Sequence, residues 1–133
     1  MKYLSLGFAL MILTAHAAGA ETLALRIKIT ATSGAEKRYE IVNQRGPKLR
    51  EMNGQKVVRA RSLKDPLASD LELAALRQIW MNNYRIKTKP KTPCKTVLEI
   101  EIPSKNERSS VCAGDLARLA SSEGLIERLN RSF

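Results

Sequence analysis

The chain has 133 residues, 44% of them hydrophobic and 27% charged, and its formal net charge is +10 at pH 7. Its length is that of one domain with a modest hydrophobic core. One histidine and two cysteines are too few for a zinc site of the Cys and His type, which needs about four ligands.

Residues 1–20 have the three parts of a secretory signal peptide. A lysine precedes an apolar run over residues 4–15, and small residues at 18–20 end the segment. The run is shorter than the ~20 residues that cross a bilayer as a helix, so a membrane anchor is the less favoured alternative. We therefore expect an exported protein, in the periplasm or alternatively outside the cell, with cleavage after Ala20 or Ala17.

Cleavage after residue 20 leaves residues 21–133 as one small domain. It removes the only histidine, one of the 23 Lys+Arg and none of the 13 Asp+Glu, which gives a net charge of +9. The remaining chain has no glycine-rich phosphate loop and no serine-nucleophile motif. Aspartates near predicted helix starts are explained by capping, and we expect Glu99 and Glu101 to pair with Arg26 or Lys28 across a sheet. We predict a non-enzymatic protein without a catalytic residue, a metal or a cofactor.

The first half of this domain predicts two pairs of strands. Leucine and isoleucine alternate with smaller or polar residues over 23–29, the period of a half-buried strand, and residues 38–42 pair back onto it. Asn53-Gly54 is typical of a type I′ hairpin turn. It would join weak strands over about 48–52 and 55–61. Because this second pair is charged and poor in large apolar residues, it predicts a sheet edge or a protruding arm.

A helix follows, starting at Asp65-Pro66 or, at a capping-box pattern, one turn later. It should run to about Asn82. Apolar residues surround most of the axis from Leu71 to Met81, which is typical of a helix that is buried or shared with a partner. We favour burial in its own domain, with Trp80 in the core. The alternative is that Leu71–Met81 forms a surface for a protein partner or a homodimer.

Residues 84–95, YRIKTKPKTPCK, concentrate positive charge without a single acid. Prolines keep the segment extended, so alternate cations lie on one side and fit a linear polyanion. Anionic envelope polymers, membrane headgroups and extracellular nucleic acid are of this kind, although sequence-specific nucleic-acid binding is not expected because only Tyr84 could stack on a base. A solvated loop is the alternative. The candidate anion-binding residues are Arg85, Lys87, Lys89, Lys91 and Lys95.

The two cysteines, Cys94 and Cys112, do not form a C-x-x-C redox motif. In an exported protein such a pair predicts a structural disulfide, with two thiols or an intermolecular link as the alternative. Alternation over residues 97–102 predicts a strand that returns, after a turn, through 109–112. A turn centred on Pro103 would place the cysteines opposite each other. A turn one or two residues later would offset them, and the disulfide would then join Cys112 to Cys94 in the loop before the first strand of the pair.

After Asp115 the chain predicts a second helix, shorter than the first or broken at Ser121–Gly124, because glycine is costly inside a helix and serine favours caps. The element order predicts a single α+β domain. We expect an antiparallel sheet of about four to six strands, with one long and one shorter or broken C-terminal helix packed on it.

The order strand pair, helix, strand pair, helix is similar to that of the emfourin-type small inhibitors of metalloproteases. The resemblance is one of architecture, and the additional Asn53-Gly54 hairpin departs from it, so it gives no residue an inhibitory role. Two functions remain. One is an exported basic module that binds an anionic envelope polymer or surface through residues 85–95. The alternative is an exported protein-interaction domain, an inhibitor or an assembly factor, that uses a sheet edge or the Trp80 helix.

Overall fold

The computed structural model describes residues 21–85, 96–112 and 116–133. These residues form a six-stranded antiparallel sheet and two α-helices, which confirms the predicted α+β fold. The strands are β1 (Thr22–Ala31), β2 (Glu36–Asn43), β3 (Pro47–Asn53), β4 (Lys56–Ser62), β5 (Thr96–Ile102) and β6 (Glu107–Cys112). The helices are α1 (Asp65–Trp80) and α2 (Leu116–Arg131). Neither helix, within the described part of the chain, is long and apolar enough to cross a membrane.

The sheet has the strand order β4-β3-β2-β1-β5-β6, so β1 lies inside it and β4 and β6 are its edges. Ile27 on β1 is fully buried between Tyr39 on β2 and Ile100 on β5. Both helices pack on this face of the sheet. The buried core joins Leu25, Ile27, Tyr39, Ile41, Leu49, Leu63, Leu71, Ala75, Ile79, Leu98, Ile100, Ile102, Leu125 and Leu129.

The predicted hairpin forms, but its turn lies one residue later than expected, at Gly54-Gln55, because Asn53 is the last residue of β3 and pairs with Lys56. Gly54 has a positive φ of 57° and Asn53 does not, so the predicted type I′ turn with Asn53 and Gly54 at its centre is wrong. The edge prediction is confirmed for β4, all of whose residues are exposed. It is wrong for β3, which lies inside the sheet and buries Leu49 and Met52. One strand of a charged hairpin can therefore be internal when it carries an apolar side chain on each of its two faces.

Helix α1 begins one residue earlier than the capping signal indicates. Lys64 is the N-cap residue, without a side-chain cap bond, while Asp65 and Pro66 occupy the first turn. Proline suits this position because the first amides of a helix have no partner inside it, and a first-turn aspartate complements the helix dipole. After Trp80 the chain continues as a π turn over Met81–Arg85.

Helix α2 runs without a break through Gly124 over 16 residues and is shorter than α1 together with the π turn that continues it. Of the two predicted alternatives, a shorter helix and a helix broken at Ser121–Gly124, the structure has the shorter one. Ser122, Leu125 and Leu129 are buried along one stripe, so the packing of this face offsets the low helix propensity of serine and glycine.

The β5–β6 hairpin pairs Val97 with Cys112 and Ile102 with Glu107, and a 3-10 turn over Pro103–Lys105 joins the strands. The turn is therefore centred after Pro103, which is the later of the two registers considered above. Cys94 lies outside the described residues. A Cys94–Cys112 bridge stays a prediction, and this register requires it to reach from the segment before β5.

Candidate binding surface at the end of helix α1

Helix α1 is amphipathic, although its sequence is apolar nearly all round. Leu71, Ala75 and Ile79 are its buried apolar residues, and they face the sheet. Toward the C-terminal end the inward positions change character, because Gln78 and, in the following turn, Asn82 are also buried. The inner face thus ends in two amides, four residues apart and so on one side of the helix.

These amides belong to a hydrogen-bonded group, here called the amide–hydroxyl cluster, whose members are buried except for half-buried Ser121: Gln78, Asn82, Ser109, Ser121 and Ser122. The Gln78 amide donates to the Asn82 side-chain oxygen at 2.9 Å and to the Ser121 hydroxyl at 2.8 Å. The Asn82 amide donates to Ser122 at 3.1 Å and to Ser109 at 3.2 Å. The cluster therefore joins the end of α1 to β6 and to α2.

The amide–hydroxyl cluster has a positioning role. Its members are amides and hydroxyls, none of which titrates near neutral pH or acts as a base toward a neighbouring hydroxyl. Each satisfied hydrogen bond contributes about 0.5–1.5 kcal/mol, but an unsatisfied member would be costly, so the geometry is well determined. The hydrogen bonds of the cluster therefore fix the orientation of α1. The residues on the opposite face of the helix do not take part in them.

That opposite face carries Leu73, Leu76, Trp80 and Tyr84, which we call the Trp80 surface. Their spacing of three and four residues places them along one side of the helix and of the turn after it, with Leu76, which is partly buried against the core, at the inner margin. Leu73 is 44% exposed, Trp80 49% and Tyr84 61%. The prediction that Trp80 is buried is therefore wrong. The two amides occupy the inward positions of the last turns, so Trp80 lies on the outside.

A cavity of about 360 Å³ adjoins this surface and is lined by Leu76, Arg77, Trp80, Tyr84 and Glu107. Glu107 is the first residue of the edge strand β6, so the cavity lies between the end of α1 and that edge. Its walls are mainly apolar, with one basic and one acidic residue at the margin. Such a site can accept an apolar side chain with polar neighbours.

The π turn after Trp80 extends the Trp80 surface. Its wider turn keeps Asn82 inside the fold and Tyr84 outside it. Asn83 donates its side-chain amide to the backbone oxygen of Arg108 at 2.9 Å, which fastens the turn to β6. Turns of this kind are frequent at functional sites.

The predicted anion-binding residues lie almost entirely outside the described part of the chain. Arg85 is the last residue of the π turn, and only its backbone is described. Lys87, Lys89, Lys91 and Lys95 are not among the described residues. The basic segment thus begins where the Trp80 surface ends, and its binding role stays a prediction.

The polar face of the sheet carries the expected cross-strand ion pairs. Arg26 contacts Glu101 at 2.6 Å and Lys28 contacts Glu99 at 3.2 Å, as predicted. Both pairs are partly exposed, so each contributes little to stability. The pairing gives these two glutamates a structural role.

Sequence reasoning missed a buried charge on the helix-covered face. The side chain of Glu51 is 8% exposed and contacts Lys37 at 3.2 Å and Arg59 at 3.3 Å. Burial raises the pKa of Glu51, but hydrogen bonding with Lys37, Tyr39 and Arg59 outweighs it, so the net effect is a lowered pKa. Glu51 is therefore a charged group that links β2, β3 and β4.

Among residues 21–85, 96–112 and 116–133, no three His, Cys, Asp or Glu side chains are grouped as a metal site would require. The chain matches no protein-family model, and no curated protein matches its sequence. The features that bear on function are therefore those of the chain itself: the Trp80 surface, the basic segment and the edges of the sheet.

Proposed function

We propose that this protein is an exported, non-enzymatic interaction domain that binds a partner protein through the Trp80 surface. The observation that carries the proposal is made at the C-terminal end of α1 and in the turn after it. There the amide side chains of Gln78 and Asn82 are buried, while the aromatic side chains of Trp80 and Tyr84 are exposed. Exposed apolar groups are ordinary when scattered singly, but a contiguous group beside a cavity is typical of an interaction site.

The chemistry of the surface indicates the kind of partner. Tryptophan and tyrosine are the residues most enriched among those that dominate binding energy. The adjoining cavity would take an apolar side chain of the partner, and the net positive charge of the chain favours a partner with acidic residues around that anchor. A second copy of the chain offers the same basic surroundings and is the less favoured occupant.

Trp80→Ala is expected to weaken partner binding by about thirtyfold, the effect of losing a central aromatic contact worth ~2 kcal/mol. The unfolding free energy should fall by only ~1 kcal/mol, well below the ~3–5 kcal/mol of a buried aromatic, because half of the side chain is already in water. The partner would be captured from the envelope fraction on the immobilised protein. Its affinity would then be measured with the purified pair.

Leu67→Ala is the matched control, since Leu67 is an exposed leucine on the same helix and lies outside the Trp80 surface. It should leave the affinity unchanged. Trp80 is the only tryptophan, so its fluorescence reports on this surface alone and should shift to the blue when the partner binds. Equal affinity of the two variants would contradict the proposal. Self-association that Trp80→Ala abolishes would identify the occupant as a second copy.

A second candidate function is binding of an anionic polymer or membrane surface through residues 85–95. The observation that favours it is charge concentration. Five of the 22 basic residues that remain after residue 20 lie in this segment of eleven residues, which has no acid. Several cations of the described sheet, by contrast, have carboxylate partners. A run of basic residues with no acid among them in sequence suits a polyanion better than a compact ligand.

Changing Arg85, Lys87, Lys89 and Lys91 to glutamine is expected to reduce retention on a heparin column and to flatten its salt dependence, because fewer counterions are released on binding. The control changes four exposed lysines elsewhere to glutamine and so has the same net charge: Lys48, Lys56, Lys64 and Lys105. If both variants lose retention equally, binding follows net charge alone, and the segment has no special role.

A further inference from the structure

The two edges of the sheet differ in how accessible they are. At β6, the side chain of Asn83 donates to the backbone oxygen of Arg108 at 2.9 Å, and buried Ser109 and Val111 lie under the helices. At β4, every residue from Lys56 to Ser62 is exposed, and β3 is its only partner strand among the described residues. Within the part of the chain that the structure describes, the open edge of the sheet is therefore β4.

The hydrogen-bond pattern shows which backbone groups point outward from β4. The Leu63 amide donates to the Pro47 oxygen at 2.9 Å, just beyond the paired strands. In an antiparallel ladder bonded and non-bonded pairs alternate, so Arg61 and Leu49 form the next bonded pair. Ala60 and Ser62 then direct their N–H and C=O groups away from β3. These two residues, spaced by two, can bond to one added strand.

The side chains of β4 are sorted by chemistry onto the two faces of the sheet. Those opposite the helix-side residues of β3 are basic: Lys56, Arg59 and Arg61. Those opposite the other face of β3 are small or apolar: Val57, Ala60 and Ser62. Val58 is the extra residue of a β-bulge between Val57 and Arg59. The bulge keeps Lys56 on the same face of the sheet as Arg59 and Arg61.

Contacts with the end of α2 hold two of these cations beside the open edge. The Arg59 guanidinium donates to the Asn130 side-chain oxygen at 2.6 Å and lies over the Phe133 ring at 4.1 Å. Arg61 donates to the backbone oxygen of Phe133 at 3.1 Å. Arg59 also contacts the Glu51 carboxylate at 3.3 Å, and its side chain remains 42% exposed, so its charge is positioned and still accessible.

We propose that β4 accepts an extended segment of a partner protein as a seventh strand, with acidic residues facing Lys56, Arg59 and Arg61 and small or apolar residues between them. Opposite charges across neighbouring strands stabilise pairing, whereas like charges oppose it. A second copy would bring the same cations to the same edge, so charge complementarity selects an acidic segment instead. This surface is at the opposite edge from the Trp80 surface and is independent of the proposed function.

A short peptide of alternating valine and glutamate, blocked at both ends and carrying a fluorophore, tests the proposal by fluorescence anisotropy. It should bind the protein, while the same peptide with lysine in place of glutamate should not. Ala60→Pro removes an outward N–H without touching the β3–β4 bonds, and should weaken binding by about tenfold. Ser110→Pro is the matched control, because it places a proline on the edge strand β6 instead.

The valine–glutamate peptide methylated on its backbone nitrogens should also fail to bind. This measurement uses the wild-type protein, so it tests the proposal even if a proline variant does not fold. Equal binding of the glutamate and lysine peptides would overturn the charge argument. Equal effects of Ala60→Pro and Ser110→Pro would overturn the assignment to β4. Self-association of the protein that Ala60→Pro abolishes would show a second copy at this edge and contradict the acidic partner.

Discussion

Asn82→Leu should lower the unfolding free energy by about 2–4 kcal/mol, because it leaves buried hydrogen-bonding groups unsatisfied on three elements. Leucine has a similar shape but cannot accept from Gln78 or donate to Ser109 and Ser122. Urea unfolding followed by far-UV circular dichroism gives the measurement. The midpoint should fall with an unchanged slope if the native state stays compact.

The neighbouring residue provides the control for this prediction. Asn83 makes one side-chain hydrogen bond to the Arg108 backbone and is exposed, so Asn83→Ala should change stability by less than ~1 kcal/mol. Asn82→Leu should also alter the emission of Trp80, since the amide–hydroxyl cluster sets the direction of the helix end. Equal destabilisation by the two variants would mean that the cluster has no structural role.

The strands could be predicted from the sequence because their side-chain period is simple. Residues 23–29 alternate with a period of two, and the buried Leu25 and Ile27 lie on the expected face. The pairing of Glu99 and Glu101 with Lys28 and Arg26 follows from that register. The period of two therefore predicts which residues of a strand face the core. It also predicts which charged residues lie on the outer face, where they can pair with a neighbouring strand.

The orientation of α1 could not be predicted by the same method. Apolar residues occur on every side of this helix, so periodicity does not distinguish its inner face from its outer face. The information lay in polar residues: Gln78 and Asn82 are four apart, and Ser121 and Ser122 are adjacent in α2. A buried polar group needs partners from other elements, and those partners are known only once the fold is known.

Glu51 was missed for a related reason. In sequence it lies in a charged hairpin and looks like one of many exposed charges, whereas the strand order places it on the covered face beside Lys37 and Arg59. Position in the sheet, which depends on contacts distant in sequence, decides whether such a carboxylate is solvated. Burial therefore converts an ordinary hairpin glutamate into a group on which stability depends.

Glu51→Gln should destabilise the protein by about 2 kcal/mol near neutral pH. Removing one partner of a buried pair typically costs ~3–5 kcal/mol, but here Lys37 and Arg59 are 45% and 42% exposed, so water solvates the cations that remain. The folded pKa of Glu51 lies below the usual value of 4.5. Its contribution is therefore complete above that value and is lost as pH falls through the folded pKa.

The difference between wild type and Glu51→Gln should consequently shrink at acid pH and vanish once the wild-type carboxyl is protonated. Denaturant unfolding of both proteins across an acidic pH series measures it. Glu99→Gln is the matched control, because Glu99 contacts Lys28 at the same 3.2 Å but its side chain is 46% exposed. That substitution should cost no more than ~0.5 kcal/mol at any pH, as expected for a surface ion pair. If Glu99→Gln and Glu51→Gln gave the same loss, burial would have no part in the stability that Glu51 provides.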